Sequence, residues 1–243
     1  MKDVIVSGAF DDLRLKDFRF LDEASKLGSL RVLLWSDELV QSQLGKPPKF
    51  PLAEREYLVR AIRFVSALSV VDSIPERAGL TNLDQILQTD LQKVPSTPAV
   101  PEASKSARKK VIVTGCYDWF HSGHVRFFEE CSEIGDLYVV VGHDENIKFL
   151  KGVGHPLFPD TQRRYIVGAI RYVKQAFISS GMGWMDAEPE ILRLQPDIYA
   201  VNEDGDKPEK AEFCRKKGLE YRVLKRLPKP GLPRRESTSL RGF

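Results

Sequence analysis

The chain has 243 residues, of which 42% are apolar and 29% are charged, and its formal net charge is +3 at pH 7. This length and apolar content fit one large or two small globular domains, and the lack of a run of 18 apolar residues argues against a membrane-spanning helix. The acidic start of the chain is unlike a signal peptide, and three scattered cysteines argue against a disulfide framework or a cysteine metal site, so we expect a cytoplasmic protein with reduced thiols.

The positive charge of the chain is concentrated in its last residues. Residues 225–243, KRLPKPGLPRRESTSLRGF, hold six basic residues and one acidic residue. A basic segment of this kind can bind nucleic acid, close over a phosphorylated small molecule, or lie in solvent. We do not expect nucleic acid as a partner, because the segment lacks interleaved aromatic residues and no nucleic-acid-binding motif precedes it.

The first part of the chain reads as alternating strands and helices. It opens with the apolar run VIVSGAFD at 4–11, which predicts a buried strand followed by a turn. The further elements predicted in this part are strands at 30–35 and 68–71 and helices at 52–64 and 83–91. We expect residues 1–92 to form a short α/β domain.

A segment of different composition follows. Residues 93–110, KVPSTPAVPEASKSARKK, contain three prolines, several small polar residues and a basic end. Such a composition cannot bury enough apolar surface to order itself, so the segment is predicted to be an interdomain linker.

The last part of the chain, 111–243, continues the alternation for longer. Strands alternating with helices predict a parallel sheet covered on both faces, with ligands bound beyond the carboxyl ends of the strands. The strands are predicted at 111–115, 137–142, 175–179, 197–201 and 220–224, and the helices at 123–134, 160–172, 187–195 and 207–217.

The two parts resemble each other in sequence. An offset of 107 residues lays VIVSGAFD on VIVTGCYD at 111–118, and an offset of 108 lays EREYLVRAIRFV at 54–65 on QRRYIVGAIRYV at 162–173. This repetition predicts a duplication. The fold class expected is therefore α/β, with two tandem Rossmann-like domains and parallel sheets, the first domain truncated.

The most informative stretch is GCYDWFHSGH at 115–124. A strand that ends in Gly-x-x-Asp and leads to a helix starting at His121-Ser122-Gly123-His124 places two imidazoles and free N–H groups at a helix N-terminus, which favours anions. Gly115 permits a tight turn and Gly123 a close approach of the ligand. The pattern indicates a phosphate site suited to displacement at phosphorus; the alternative is that the histidines only cap the helix.

This stretch resembles the GxFDxxHxGH signature of the cytidylyltransferase-like nucleotidyltransferases. The resemblance implies a Rossmann-like fold and transfer of a nucleotidyl group from a nucleoside triphosphate to a phosphorylated small molecule, with release of pyrophosphate and with Mg²⁺ bound to the nucleotide. It implies that His121 and His124 contact the triphosphate and stabilise the leaving pyrophosphate. The other nucleotide-binding residues that it implies within the signature are Gly115, Cys116, Tyr117, Asp118 and Gly123.

Three further segments match the same family. Lys148 and Lys151, in ENIKFLKG, fall where the family carries phosphate-binding lysines, with Lys151 assigned to catalysis and both expected on one face of a helix end. Arg163 matches the arginine of the family's ER…RYV helix. The alternatives are a solvated helix edge for the lysines and a structural ion pair for Arg163, the second favoured by Arg55 at the matching place. Asp118 likewise has a turn-capping alternative.

The tail RRESTSLRG resembles the family's RTEGISTT segment, although it lacks the Gly-Ile pair. The resemblance assigns nucleotide binding to Arg235, Ser237, Thr238 and Ser239; a capped C-terminal helix is the alternative. The acceptor is left open because His155-Pro156 replaces the family's Arg-Pro. Trp184 is a candidate for the acceptor pocket, or an aromatic side chain packed on the core.

The first copy lacks the catalytic signature. Arg14-Leu15-Lys16-Asp17 stands where the second copy has the HSGH residues, so residues 1–92 are predicted to be inactive. The tandem arrangement resembles the ethanolamine-phosphate cytidylyltransferases, which have two such domains. We expect the first domain to pair with the second, in place of the contact that single-domain members make as homodimers, with a homodimer of the whole chain as an alternative.

Three functions compete at this point. The favoured one is transfer of CMP from CTP to a phosphorylated small alcohol or polyol. The second is an adenylyltransferase that uses ATP, of the type that makes ADP-heptose, FAD or dephospho-coenzyme A. The third is a sensor that binds a nucleotide without catalysis, suggested by the altered first copy and opposed by the intact HSGH.

Overall fold

The computed structural model describes residues 2–74, 76, 81, 86, 89–95, 107–225, 227–237 and 240. The chain divides into two compact units, Met1–Val94 and Pro95–Phe243. Each unit has a sheet whose described strands are all parallel, flanked by helices. The predicted α/β class with parallel sheets is therefore confirmed.

The first unit has a sheet of three described strands in the order β1-β2-β3. Its apolar strand residues are buried at alternate positions, as Val4 and Val6 show. The elements are β1 (Asp3–Gly8), α1 (Leu15–Ser25), β2 (Ser29–Trp35), α2 (Asp37–Leu44), α3 (Leu52–Ala61) and β3 (Ala67–Val71).

The second unit has five described strands in the order β6-β5-β4-β7-β8. Its central strands are buried nearly along their whole length, which accounts for the continuous apolar runs in the sequence. The elements are β4 (Lys110–Gly115), α4 (Ser122–Ile134), β5 (Asp136–Val141), α5 (Asp144–Lys151), α6 (Asp160–Gly168), β6 (Val173–Ile178), α7 (Glu188–Leu194), β7 (Ile198–Asn202), α8 (Pro208–Lys217) and β8 (Glu220–Leu224).

The strand order places the ligand-binding edge of the second sheet. The chain runs outward from β4 through β5 to β6, and then returns to the other side of β4 to form β7 and β8. The connections that leave β4 and β7 therefore diverge and open a crevice at the carboxyl ends of these two neighbouring strands, the usual ligand position in such sheets.

The predicted elements differ from the structure mainly at their ends. The helix predicted at 160–172 ends at Gly168, because Ile170 is fully buried and Val173 already belongs to β6. No bounds were predicted for three short helices, α1, α2 and α5, although a helix end was expected at Lys148 and Lys151. Most of the helix predicted at 83–91, and residues 96–106 of the predicted linker, lie outside the described residues.

None of the helices in the described part of the chain combines the length and the apolar character needed to cross a membrane.

Two glycines of the second unit should respond to alanine in opposite ways. A Cβ on Gly135 would lie 2.3 Å from the backbone oxygen of Lys109 and 2.7 Å from Cγ2 of Val111, whereas one on Gly168, the last residue of α6, would meet only Cβ of Ala176 at 3.6 Å. We expect Gly135→Ala to lower the free energy of unfolding by about 2 kcal/mol or more, and Gly168→Ala to raise it by about 0.5 kcal/mol. Chemical denaturation measures both, and equal effects would contradict this packing.

Candidate active site

A cavity of about 350 Å³ opens at the carboxyl ends of β4 and β7. It lies where the strand order predicts a ligand. Its lining comes from the turn after β4, the start of α4, the end of α5, the turn after β7, α8 and the C-terminal segment. The lining residues are Thr114, Gly115, Cys116, Tyr117, Asp118, His124, Phe127, Lys151, Ala200, Val201, Asn202, Asp204, Gly205, Lys210, Glu236 and Ser237.

The two histidines of the HSGH motif are fixed to the first turn of α4. His121 is the N-cap residue, and its Nδ1 accepts a hydrogen bond from the Gly123 N–H at 3.1 Å. His124 Nδ1 accepts from the His121 N–H at 3.3 Å. The two rings stack with their centroids 3.9 Å apart. Both side chains thus satisfy backbone donors at the helix start, so the predicted capping is part of their role.

This arrangement sets the tautomer that each imidazole has in its neutral form. A ring nitrogen that accepts a hydrogen bond carries no proton, so with Nδ1 accepting in both rings the proton lies on Nε2. His121 is buried and His124 lines the cavity. Two N–H donors at the positive end of a helix can stabilise charge that develops on a phosphate group.

Glycine is required at two positions of the signature for reasons of space. A Cβ on Gly115 would lie 2.8 Å from the ring of Tyr117, and one on Gly123 would lie 2.9 Å from the ring of His121. Gly115 therefore makes room for a side chain of the protein. Tyr117 is the residue of this turn with a left-handed backbone, at φ 54°.

The turn after β4 is packed into the protein interior. Burial raises the pKa of Tyr117 well above its ordinary value, and the Tyr117 hydroxyl has no hydrogen-bond partner among the described residues. Burial also raises the pKa of Cys116, although Lys151 and Arg163 act in the opposite direction. Both groups are therefore held in the neutral form, as a phenol and a thiol.

Asp118 holds a distant loop in place. Its carboxylate accepts from the Leu157 N–H at 2.9 and 3.1 Å and from the Phe158 N–H at 3.0 Å. Asp118 also lines the cavity, and its assignment to nucleotide binding stays a prediction. These hydrogen bonds do not close a local turn, as the turn-capping alternative requires, because they join Asp118 to residues about 40 positions away.

Arg163 is not among the residues that line the main cavity, and its side chain is hydrogen-bonded to other groups of the protein. It is 1% exposed. Its guanidinium donates to the carbonyl oxygens of Phe158, Cys116 and Gly142 and to the carboxylate of Asp144. These contacts support the structural ion pair, the alternative to phosphate binding that Arg55 had suggested.

Lys148 and Lys151 line different cavities. Lys151 borders the main cavity, whereas Lys148 borders a second cavity of about 290 Å³ together with Glu145, His155 and Pro156. Both lysines belong to the last turn of α5, and their assignment to one phosphate-binding site stays a prediction.

The C-terminal segment covers the start of α4. The Ser237 hydroxyl donates to the carbonyl oxygen of Trp119 at 3.3 Å, and Leu240 is buried. The backbone oxygen of Arg235 lies 3.6 Å from the place that a Cβ on Gly123 would occupy. Ser237 lines the main cavity, whereas Arg235 lines a smaller neighbouring one. Thr238 and Ser239 lie outside the described residues.

Two polar residues of the cavity were not found from the sequence. Lys210 of α8 lies opposite the strand ends, and its Nζ donates to the Gly205 carbonyl oxygen at 2.9 Å. Burial, and then the neighbouring Lys207, lower the pKa of Lys210. Asn202 ends β7 and also lines the cavity. Neither belongs to a recognisable motif, so only the sheet order brings them to the site.

Trp184 is not among the residues that line the main cavity. Its ring meets Phe213 of α8 edge to face, with the centroids 6.3 Å apart, and the residue is about half exposed. This contact favours the alternative of an aromatic side chain packed on the core, because Phe213 itself packs against the core of the second unit.

The described residues offer no ready metal site. No group of three or more His, Cys, Asp and Glu side chains is arranged among them to hold an ion. The carboxylates that line the cavity are those of Asp118, Asp204 and Glu236, and Asp118 is already engaged by backbone N–H groups.

Comparison with known proteins agrees with this geometry. A family model described as cytidylyltransferase-like matches residues 112–218, from β4 to the end of α8. A relative that is 35% identical is covered over 75% of its length. The chain belongs to the cytidylyltransferase-like family. The resemblance seen in GCYDWFHSGH is thereby confirmed at the level of the nucleotidyltransferase family.

Several curated relatives carry the name FAD synthase. The protein from Ferroglobus placidus is 35% identical over 120 residues, which are 48% of this chain and 75% of the relative. Those from Thermococcus kodakarensis and Pyrococcus abyssi are 33% and 38% identical over 124 residues, which are 50% of this chain and 81% of each relative. Among solved structures, a lipopolysaccharide core biosynthesis protein from Thermoplasma volcanium is 23% identical, with a TM-score of 0.42 over 50% of this chain and 98% of its own.

The names of these relatives contradict the prediction that CTP is the nucleotide substrate. The expectation that the enzyme transfers CMP from CTP to a small phosphoalcohol or polyol is wrong, because the relatives are named for making a flavin adenine dinucleotide, which contains an adenylyl group. The signature could not decide this point, since the role that the resemblance gives to its histidines is contact with phosphates, which ATP and CTP share.

Replacing Arg163 tests its role. Arg163→Met would leave the carbonyls of Phe158, Cys116 and Gly142 without their donor, and we expect it to lower the free energy of unfolding by about 3 kcal/mol or more. Exposed Arg193→Met is the control and should change stability by less than about 0.5 kcal/mol. A stable Arg163→Met protein with impaired nucleotide binding would instead establish Arg163 as a ligand of the nucleotide.

Proposed function

We propose that the second unit is an adenylyltransferase that transfers AMP from ATP to the phosphate of FMN, forming FAD and releasing pyrophosphate. The observation that carries the proposal is the pair of capping histidines at a helix N-terminus that borders the main cavity. The relatives named FAD synthase support the choice of ATP and FMN. ADP-heptose or phosphopantetheine chemistry has no comparable support.

The residues present suit a direct displacement. A phosphate oxygen of FMN attacks the α-phosphorus of ATP, a new P–O bond forms, and the bond to the β-phosphate oxygen breaks. The attacking phosphate is largely dianionic at pH 7, since its second pKa is about 6, so no protein base is needed. The negative charge that builds up on the departing pyrophosphate would be stabilised by the Nε2–H groups of His121 and His124 and by the backbone N–H groups at the start of α4.

Two lysines would supply the remaining positive charge. Lys151 at the end of α5 and Lys210 on α8 reach the same cavity from different elements. A phosphorylated ligand between them would be held by charge-assisted hydrogen bonds at two points. Ser237 would close the cavity from the C-terminal segment, and Thr238 and Ser239 extend the same assignment by sequence resemblance.

Mg²⁺ would arrive with the nucleotide. This ion keeps several waters and commonly binds substrate phosphates with few protein ligands, so it does not require a dedicated carboxylate cluster. Its chemical contribution when bound is to neutralise phosphate charge.

We infer that the first unit is a degenerate copy of the second without catalytic function. The contacts of its buried arginine repeat those of Arg163: Arg55 donates to the carbonyl oxygens of Phe50 and Ala9 and to Asp37. The helix start is also kept, because the Arg14 N–H donates to the Asp17 carboxylate, as the His121 N–H donates to His124. A carboxylate at that place would repel a phosphate, which supports an inactive copy.

An assay of the purified chain tests the main proposal. With ATP, FMN and Mg²⁺ we expect FAD and pyrophosphate to form in equal amounts, measured by chromatography, and the His121→Ala, His124→Ala double variant to be slower by at least about 100-fold. Arg14→Ala, at the matching helix start of the first unit, is the control and should keep the wild-type rate. Full activity of the double variant would refute the role of the histidines, and the absence of FAD would refute the choice of substrates.

The pH dependence of ATP binding tests the role of Lys210. Because the pKa of this side chain is lowered, it loses its proton at a lower pH than an ordinary lysine. A bound phosphate favours the charged form, so affinity for ATP should be full below the lowered pKa and fall as pH rises through it, by up to about tenfold per pH unit.

Lys210→Arg should remove this alkaline decline, since a guanidinium stays protonated. Lys216→Arg, an exposed change on the same helix, should leave the decline as it is. Titration calorimetry at several pH values measures the affinities, and identical profiles for wild type and Lys210→Arg would exclude Lys210 from the phosphate site.

A further inference from the structure

Asn202 occupies a distinctive position in the main cavity. It is the last residue of β7, the strand next to β4 across the point where the strand order reverses. It lines the cavity together with Ala200 and Val201 of the same strand. The histidine motif lies at the end of the neighbouring strand, so a ligand with its phosphates at α4 would extend its remaining part toward Asn202.

The side-chain amide of Asn202 is not used by the described part of the protein. Its Oδ1 is buried and has no hydrogen-bond partner there. Asn202 is also the N-cap residue of the short 3-10 turn Glu203–Gly205, where asparagine commonly accepts a backbone N–H, yet its side chain makes no capping hydrogen bond. The amide therefore contributes neither to the turn nor to another side chain.

An unpaired buried acceptor beside a cavity indicates a missing donor. Buried amide oxygens are nearly always hydrogen-bonded, because desolvation without a partner costs free energy. An asparagine amide presents one acceptor and one donor side by side. This pattern is complementary to the edge of adenine, which offers its exocyclic N6 amino group next to a ring-nitrogen acceptor.

We propose that Asn202 recognises the base of the nucleotide substrate. Oδ1 accepts a hydrogen bond from the N6 amino group of adenine, and Nδ2 donates to the adjacent ring nitrogen. The inference rests on the proposed function, since it places the triphosphate at His121 and His124. It makes Asn202 a specificity-determining residue that selects bases with an amino group in this position.

The test compares ATP with purine riboside triphosphate, which has hydrogen in place of the N6 amino group. Dissociation constants are measured by titration calorimetry on the full chain without an acceptor. The wild-type protein should bind the analogue about tenfold to a hundredfold more weakly than ATP. In Asn202→Ala the two ligands should bind nearly equally, with ATP reduced to the level of the analogue.

Two further variants complete the design. Glu203→Ala changes the next, exposed residue of the same turn and should keep the wild-type ratio. If Asn202→Ala fails to fold, Asn202→Leu, which fills a similar volume without hydrogen-bonding groups, should give the same loss of discrimination.

The outcomes separate this inference from the function on which it rests. Equal binding of both ligands by the wild type, or a ratio unchanged in the Asn202 variants, would overturn the assignment of Asn202 while leaving an ATP-binding enzyme. No detectable binding of ATP by the wild type would overturn the proposed function, and the assignment with it.

Discussion

The candidate site depends on a buried guanidinium. The guanidinium of Arg163 donates hydrogen bonds to three carbonyl oxygens, those of Cys116 after β4, Gly142 after β5 and Phe158 before α6. Strand ends and loops leave such carbonyls without partners in the ladder, and burying them unpaired is costly. A planar group with five donors can satisfy several at once and fix their relative positions. The Asp144 carboxylate, at the first residue of α5, adds an ion pair to this arrangement.

The first unit has a similar arrangement around a buried arginine. Arg55 is fully buried and holds equivalent loops, and the Asp11 carboxylate accepts from the N–H groups of Lys49 and Phe50 much as Asp118 does from Leu157 and Phe158. What differs is the first turn of the helix. Replacing an imidazole by the Asp17 carboxylate keeps the cap on the backbone but reverses the charge offered to an anion. The arginine and aspartate contacts are thus common to the two units, whereas the side chains at the helix start differ.

The main cavity combines groups of different origin. The histidines act through the helix start, where their Nδ1 atoms are committed to backbone N–H groups and the ring protons are thereby placed on Nε2. Burial lowers the pKa of Lys210, which means that keeping its ammonium group charged costs free energy. An anionic ligand beside it would offset that cost. Asn202 presents an acceptor without a partner in the described part of the chain. The cavity and the helix start beside it thus offer a ligand N–H donors, a positive charge and a hydrogen-bond acceptor.

The sequence by itself determined the α/β class, the five parallel strands of the second unit to within about two residues, and the nucleotidyltransferase family, since apolar runs and a motif such as HSGH are local features of the chain. It also indicated that Arg163 had a structural alternative, because Arg55 repeats its position. It did not decide between ATP and CTP, whose phosphates are the same.

Only the tertiary structure decided which side chains share a cavity. It separated Lys148 from Lys151, although they are three residues apart, and it brought Asn202 and Lys210 to the histidines from about 80 residues away. The physical reason is that neighbours in a parallel sheet are set by strand order and crossover connections, which no local pattern of residues encodes.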